Sequence, residues 1–365
     1  MFACALAEGV PDGIGLAERC LGQLDRRGAA TLGFVYGTDM LAAQFEAVVD
    51  RLRRGTGIDT WVGTVGMGVM AGAHAAFGTP ALAVMTAALP AGSTRLIEPA
   101  AGLPADLAAW SAARGGGVAV VHGDARDGDL ADRLDDLSGL AGCFVVGGLG
   151  SSRVRLRHCA GGVGTGPLSG LVLAPELVAA VGLTQGCSPL GTGRHLISKA
   201  EGGLIEKLDD RPALEVLQLA LERMPAPERA RAARRLHAAL PIAGRGESDY
   251  LVRDLVGVDP ANGTIAIAGE AEPGRELIFV RRDLEGATAD LRRMASRTRA
   301  AAPTARAAIY FSCVARGPHL FPGLDGELGI LRAAIGDIPV AGLFCDGEIF
   351  DGRLYGYTGV LALLA

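Results

Sequence analysis

Between Thr60 and Thr94 the chain carries no Asp, Glu, Lys or Arg. Such a stretch raises the question of a membrane span, but Gly63, Gly66, Gly68, Gly72, Gly78, Pro80 and Pro90 break it. No uninterrupted Leu/Ile/Val-rich run of roughly 20 residues remains, and a spanning helix requires one. Two strands buried on both faces account for the stretch better. At the N-terminus no basic region precedes an apolar run, and Glu8 and Asp12 come early. The expectation is a soluble, cytoplasmic chain without a signal peptide and without a membrane partner.

Closely spaced cysteines are missing as well. Cys4, Cys20, Cys143, Cys159, Cys187, Cys313 and Cys345 are scattered, and no pair has the spacing of a zinc knuckle or a redox dithiol. Most sit among apolar residues, as buried small hydrophobes do in a reducing cytoplasm. Lys and Ile are scarce beside abundant Ala, Gly and Arg, a compositional bias silent about chemistry. The formal charge of −5 offers no long-range attraction to nucleic acid, which argues against a nucleic-acid partner.

The common catalytic signatures are also absent. There is no Gly-x-Ser-x-Gly elbow, no His-Glu-x-x-His helix and no Gly-Lys-Ser/Thr phosphate loop. Gly66-Met67-Gly68 follows a strand but has no third glycine at dinucleotide spacing. Gly162-Val163-Gly164-Thr165-Gly166 precedes a strand rather than a helix. No Cys-x-x-Cys-His haem attachment occurs, and the six histidines are spread along the chain. A lone histidine is more often a hydrogen-bonded structural residue than a ligand. His195 and His319, in polar glycine-flanked turns, are the two to test first.

What is present is a chain of 365 residues, long enough for two domains. One local order recurs three times: an apolar strand, an amphipathic helix and a second strand ending at glycine. It covers Thr31 to Tyr36, Met40 to Arg54 and Thr60 to Gly66. It returns over Gly117 to Val121, Leu130 to Leu140 and Cys143 to Gly150, then over Ala307 to Cys313, Leu324 to Ile335 and Val340 to Glu348. Between the last two, short strand-like runs dominate from Arg153 to Glu206: Val154 to Cys159, Leu168 to Leu173, Val178 to Gln185 and His195 to Leu208. Gly-rich turns separate them, predicting an antiparallel, hairpin-rich sheet. Pro212 is placed to open a helix running to Arg223, and a second helix is expected over Pro227 to Ala239. Arg229, Arg231, Arg234 and Arg235 on it read as a solvated face. Leu251 to Val258 and Thr264 to Ala268 flank a turn at Asp259-Pro260-Ala261-Asn262-Gly263. The expected architecture is α/β, a layered sandwich of mixed sheets with flanking helices in two domains, residues 1–208 and 209–365.

The third unit carries the most chemistry. Tyr310-Phe311-Ser312-Cys313-Val314-Ala315-Arg316-Gly317 brings a thiol and a guanidinium to a glycine turn, and Phe344-Cys345-Asp346-Gly347-Glu348 brings two carboxylates to another. If the strands are neighbours, opposite charges meet at one edge of the sheet. Arg suits a carboxylate and Asp or Glu an ammonium, so Cys313, Arg316, Gly317, Asp346 and Glu348 outline a site for a zwitterion. The plainer alternative is that Arg316 and Glu348 pair with each other. A thiol near a guanidinium also outlines a nucleophile at Cys313, although buried strand thiols are usually packing.

Phe311-Ser312-Cys313, Arg316-Gly317, Phe321, Glu327 and Gly342 to Ile349 resemble the C-terminal part of the FIST family, named for F-box and intracellular signal-transduction proteins. Val62-Gly63 to Gly72, Val146-Gly147-Gly148 and Gly186-Cys187-Ser188-Pro189-Leu190-Gly191 resemble its N-terminal part. Leu208-Asp209 with Pro212 to Leu217 resembles the junction. The chain departs from the pattern at Tyr357-Thr358, where the family has Asn or His ahead of the Thr. The resemblance implies a stand-alone intracellular sensor of a small ligand, an amino acid or similar metabolite. It would signal through a separate protein of the kinase or chemotaxis type, with no cofactor and no recognisable catalytic machinery. It also implies an alternative, a haem-binding sensor of nitric oxide, with His195 and His319 as candidate ligands. A thiol-dependent enzyme at Cys313 is the third reading.

Overall fold

A computed structural model describes residues 1–24, 30–99, 101–191, 193–222, 235–242 and 249–365, with single positions 224, 229 and 244. The chain divides into two compact units, which are each described by themselves. Unit 1 comprises residues 1–184, 291–354 and 358–365; unit 2 comprises 185–290 and 355–357.

Unit 1 contains a six-stranded and an eleven-stranded sheet. All three strand–helix–strand units expected from the sequence form there, each as a parallel pair. Leu32–Thr38 pairs with Thr60–Gly66, Gly117–Gly123 with Cys143–Gly150, and Ala307–Cys313 with Val340–Phe350. The helices Phe45–Thr56, Leu130–Ala141 and Gly326–Ile335 supply the crossovers. Crossovers of this kind are what parallel neighbours require. The charge-free stretch becomes four strands rather than two: Thr60–Gly66, Gly68–Ala71, His74–Phe77 and Ala81–Ala87. Gly63 shows why glycine is needed there, since a Cβ would stand 1.7 Å from the Val35 carbonyl oxygen. Among the described residues no helix is long and apolar enough to cross a membrane.

The second and third crossover units lie side by side in the larger sheet, where Val340–Phe350 pairs antiparallel with Cys143–Gly150. Residues far apart in sequence thus share one sheet, and the division expected at 208/209 does not coincide with the compact units. One core draws on both sheets: Phe34, Tyr36 and Met85 from the smaller, Val120, Val146, Phe311 and Cys345 from the larger. A second core lies under the helices Gly13–Gln23 and Phe45–Thr56, a third under Leu107–Ala112 and Leu130–Ala141. The layered sandwich with flanking helices is therefore the architecture of unit 1.

Unit 2 is built differently. Glu276–Arg282, His195–Glu201, Leu204–Leu208, Thr264–Ile267, Tyr250–Asp259 and Leu236–Pro241 pair in that order, and Leu236–Pro241 pairs back onto Glu276–Arg282. The result is a closed six-stranded antiparallel barrel, which removes the exposed edges an open hairpin sheet would have. Ile197, Ile205, Leu208, Ile265, Leu277 and Phe279 fill it, together with Ala213, Val216 and Leu217 of the helix Ala213–Glu222. The expected helix Pro227 to Ala239 is corrected at its end, because Leu236–Pro241 is a strand whose Leu236, Ala238 and Leu240 join the barrel core. The remainder of that expected helix lies outside the described residues, except Arg229 and Arg235. Within the run expected as a strand from Val154 to Cys159, only His158 and Cys159 are extended, in His158–Ala160.

Candidate functional site

Strand alternation sorts the residues of Ala307–Cys313 between two faces. Ile309 and Phe311 enter the core between the sheets, while Tyr310 and Ser312 turn to the other face, under the helix Gly326–Ile335. Glu327 opens that helix on the same side as Leu331 and Ile335, at the i, i+4, i+8 positions of its buried face. Its carboxylate gathers four donors. Tyr310 Oη donates to Oε1 at 2.8 Å and Arg316 Nε to the same oxygen at 2.7 Å. Ser312 Oγ donates to Oε2 at 2.8 Å, and the Gly317 backbone N–H to that oxygen at 3.2 Å.

Arg316 is fully buried. Its guanidinium lies over the Phe321 ring, 5.3 Å from the centroid. Burial alone would lower its pKa, but the charge and hydrogen bond of Glu327, together with Tyr310 and Glu348, outweigh burial and raise it. Nε is bonded to Glu327, and among the described residues neither Nη1 nor Nη2 has a hydrogen-bond partner. Gly317 follows at φ +38°, where a Cβ would meet the Phe344 ring at 2.4 Å. That crowding and the left-handed backbone both require glycine.

Glu348 is the second buried charge-bearing group. It sits inside Val340–Phe350 just past a register shift between Cys345 and Glu348, and not in the turn expected from the sequence. Its Oε2 accepts from Thr358 Oγ1 at 2.7 Å and from the Thr358 N–H at 3.2 Å, while Oε1 has no hydrogen-bond partner among the described residues. Burial pushes its pKa up to about 8, against the opposing pull of Thr358 and of Arg316. Burial thus favours the protonated, neutral form of Glu348 over the charged one.

Arg316 and Glu348 feel each other's charge, yet the ion pair that Arg316 makes is with Glu327. Asp346, across the register shift, is exposed. Cys313 is buried beside its register partner Cys345, and burial raises the Cys345 thiol well above its ordinary range. The structure thus brings Arg316, Gly317 and Glu348 into the buried layer and leaves Asp346 outside it. Glu327, Tyr310, Ser312 and Thr358 take part as well; the sequence reading placed them in the third unit or the FIST-like pattern but not among the site residues. A charge on the apolar face of the helix Gly326–Ile335 was the available signal for Glu327.

His319 is exposed on the short helix Gly317–Leu320, its ring edge-on to Phe77 at 5.4 Å. His195 belongs to unit 2, where Nδ1 meets Asp209 Oδ2 at 2.7 Å beside a cleft of about 360 Å³. That volume is at the small end for ligand pockets, and the lining includes Asp209, Arg211 and Arg281. The cleft at His195, of that volume and with Asp209, Arg211 and Arg281 on its lining, does not fit a porphyrin.

Two family models match the chain, the FIST N domain over residues 31–211 and the FIST C domain over 213–351. The chain belongs to the FIST family. FIST domains are generally taken as sensory domains in signal transduction. The junction of the two matches falls within unit 2, so the FIST N match supplies the barrel hairpin His195–Leu208 and the FIST C match the other barrel strands. An uncharacterized protein of Mycobacterium bovis is 33% identical over 240 residues, and the alignment covers 61% of each chain. The chain thus spans less than two thirds of that relative's length. An uncharacterized protein of Mycobacterium tuberculosis is 30% identical over 335 residues, covering 83% of this chain and 82% of its own.

Proposed function

We propose that this FIST protein senses a small zwitterionic metabolite of the amino-acid type, bound in unit 1 between Arg316 and Glu348. The observation that supports the reading is a set of polar atoms without a hydrogen-bond partner among the described residues: Arg316 Nη1, Arg316 Nη2 and Glu348 Oε1, all on fully buried residues. Buried polar groups are nearly always hydrogen-bonded, and leaving three unmet in one charged layer is unfavourable. A carboxylate accepts from the paired Nη donors, and an ammonium takes the free side of Glu348 once its proton has left. Because both groups are shielded from solvent, entry requires an opened state. Ligand then selects among states, which is how a sensor converts occupancy into a signal for a partner protein.

Calorimetric titration of the full chain against the common amino acids tests the reading. At least one should bind saturably and release close to one proton near pH 7, seen as a dependence of the heat on buffer ionisation enthalpy. Glu348→Gln should abolish that release and weaken binding about tenfold or more. If no amino acid binds, or if the binder is indifferent to Glu348→Gln, the reading fails.

A further inference from the structure

The cleft of unit 2 lies between the barrel strands and the helix Ala213–Glu222, and the proposal above does not use it. Its wall is divided by chemistry. Val216, Leu219, Ala220 and Met224 give an apolar side, while His195, Arg211 and Arg281 give a basic one. Asp209, the one acid on the lining among the described residues, has both oxygens engaged: Oδ2 with His195 Nδ1 at 2.7 Å and Oδ1 with the Leu196 N–H at 2.8 Å. Its carboxyl is held below the usual range, burial being outweighed by the His195 and Leu196 hydrogen bonds. An ionised Asp209 accepts from His195 Nδ1–H and orients the imidazole, as carboxylates do for functional histidines, and an incoming carboxylate is met by the imidazolium form, which donates from Nε2 as well.

Two local features keep that arrangement in place. Asp209 and Asp210 both have positive φ, +52° and +61°, in the two-residue turn between Leu208 and Arg211. Left-handed backbone is unusual for consecutive non-glycine residues, and such strain persists where the surroundings hold it. Here it aims Asp209 at His195. On the other side of the ring, a Cβ on Gly193 would stand 3.1 Å from His195 Nε2, so glycine leaves that nitrogen uncrowded. Arg211 also meets Glu215 at 2.7 Å, but both side chains are about half exposed, and such surface pairs yield readily to a better partner. Arg281 lines the cleft from the strand Glu276–Arg282.

We infer that this cleft is a second ligand site, taking a small organic carboxylate whose acid group meets His195, Arg211 and Arg281 and whose apolar body lies on Leu219, Ala220 and Met224. A cavity of about 360 Å³ with an apolar floor and a few convergent polar groups suits a ligand of that class. The site rests on unit 2 alone and does not depend on binding at Arg316.

Phenylacetate, with neutral phenylacetamide as its control, is the probe. Titrated into the full chain and followed by the NMR signals of the His195 ring, phenylacetate should saturate and phenylacetamide should bind at least tenfold more weakly. His195→Ala or Arg281→Ala should weaken phenylacetate about ten- to a hundredfold by calorimetry. Ala220→Trp, which fills the apolar side and leaves the charged groups in place, should abolish binding while an unchanged melting temperature reports an intact barrel. Acid and amide binding equally, no saturation at millimolar phenylacetate, or full affinity in the folded Ala220→Trp protein would each overturn the assignment.

Discussion

In unit 1 Arg316, Glu327 and Glu348 are exposed by 1% or less, whereas in unit 2 the side chains of His195 and Asp209 keep 19% and 44% of their surface in solvent. The two settings ask different things of a charge. A buried guanidinium must be matched by a fixed carboxylate, and losing one partner strands the other in low dielectric. A partly exposed imidazole paired with a half-exposed carboxylate keeps some hydration and can exchange partners at lower energetic cost. The buried set is therefore integral to folding as well as to any binding, while the open cleft can be altered with the fold intact.

The comparison breaks most sharply at Glu327. Glu327→Gln keeps the shape but removes the countercharge of Arg316, and should destabilise the protein by about 3–5 kcal/mol in chemical denaturation. A loss under about 1 kcal/mol would show that Arg316 has another way to meet its charge. Gly317→Ala should cost about 1–3 kcal/mol, from left-handed backbone and the Phe344 contact together. Removal of a charge in the unit 2 cleft, as in His195→Ala, should cost less than either.

Acidity sharpens the contrast further. The folded pKa of Glu348 is raised from an ordinary 4.5 to about 8, so the folded protein holds this proton over a range where the unfolded chain has lost it. Its contribution to stability is full below pH 4.5 and is lost as pH rises toward 8, at about 1.4 kcal/mol per pH unit. Glu348→Gln should remove that slope from denaturation midpoints measured across the window; an identical slope in the variant would place the titration elsewhere. The smallest expected effect is in the barrel turn. Asp210→Gly should stabilise by about 0.5–1 kcal/mol, because Asp-Gly suits a turn with two positive φ angles. A fall in melting temperature would mean that the Asp210 side chain does more than occupy a strained position.

Much of unit 1 was legible in the sequence because its signals are local. Leu168–Leu173 and Val178–Gln185 form as expected, and so does each crossover unit. Arg316 and Glu348 were visible as charges at the ends of apolar runs. Their partners were not, since Glu327 lies in an ordinary-looking helix and Thr358 beyond a separate turn. Asp346 and Glu348 looked equivalent on the page. The register shift that follows Cys345 leaves one exposed and the other buried.

Periodicity, glycine placement and turn chemistry act over a few residues, and the sequence alone determined the three crossover units, the antiparallel character of the middle segment and the FIST resemblance. Tertiary structure decided everything that depends on which distant strands pair. It placed the strands Cys143–Gly150 and Val340–Phe350 in one sheet, closed the hairpins into a barrel, and set Glu327 rather than Glu348 against Arg316. Pairing between remote strands is chosen by burial over the whole sheet, and no local pattern records that choice.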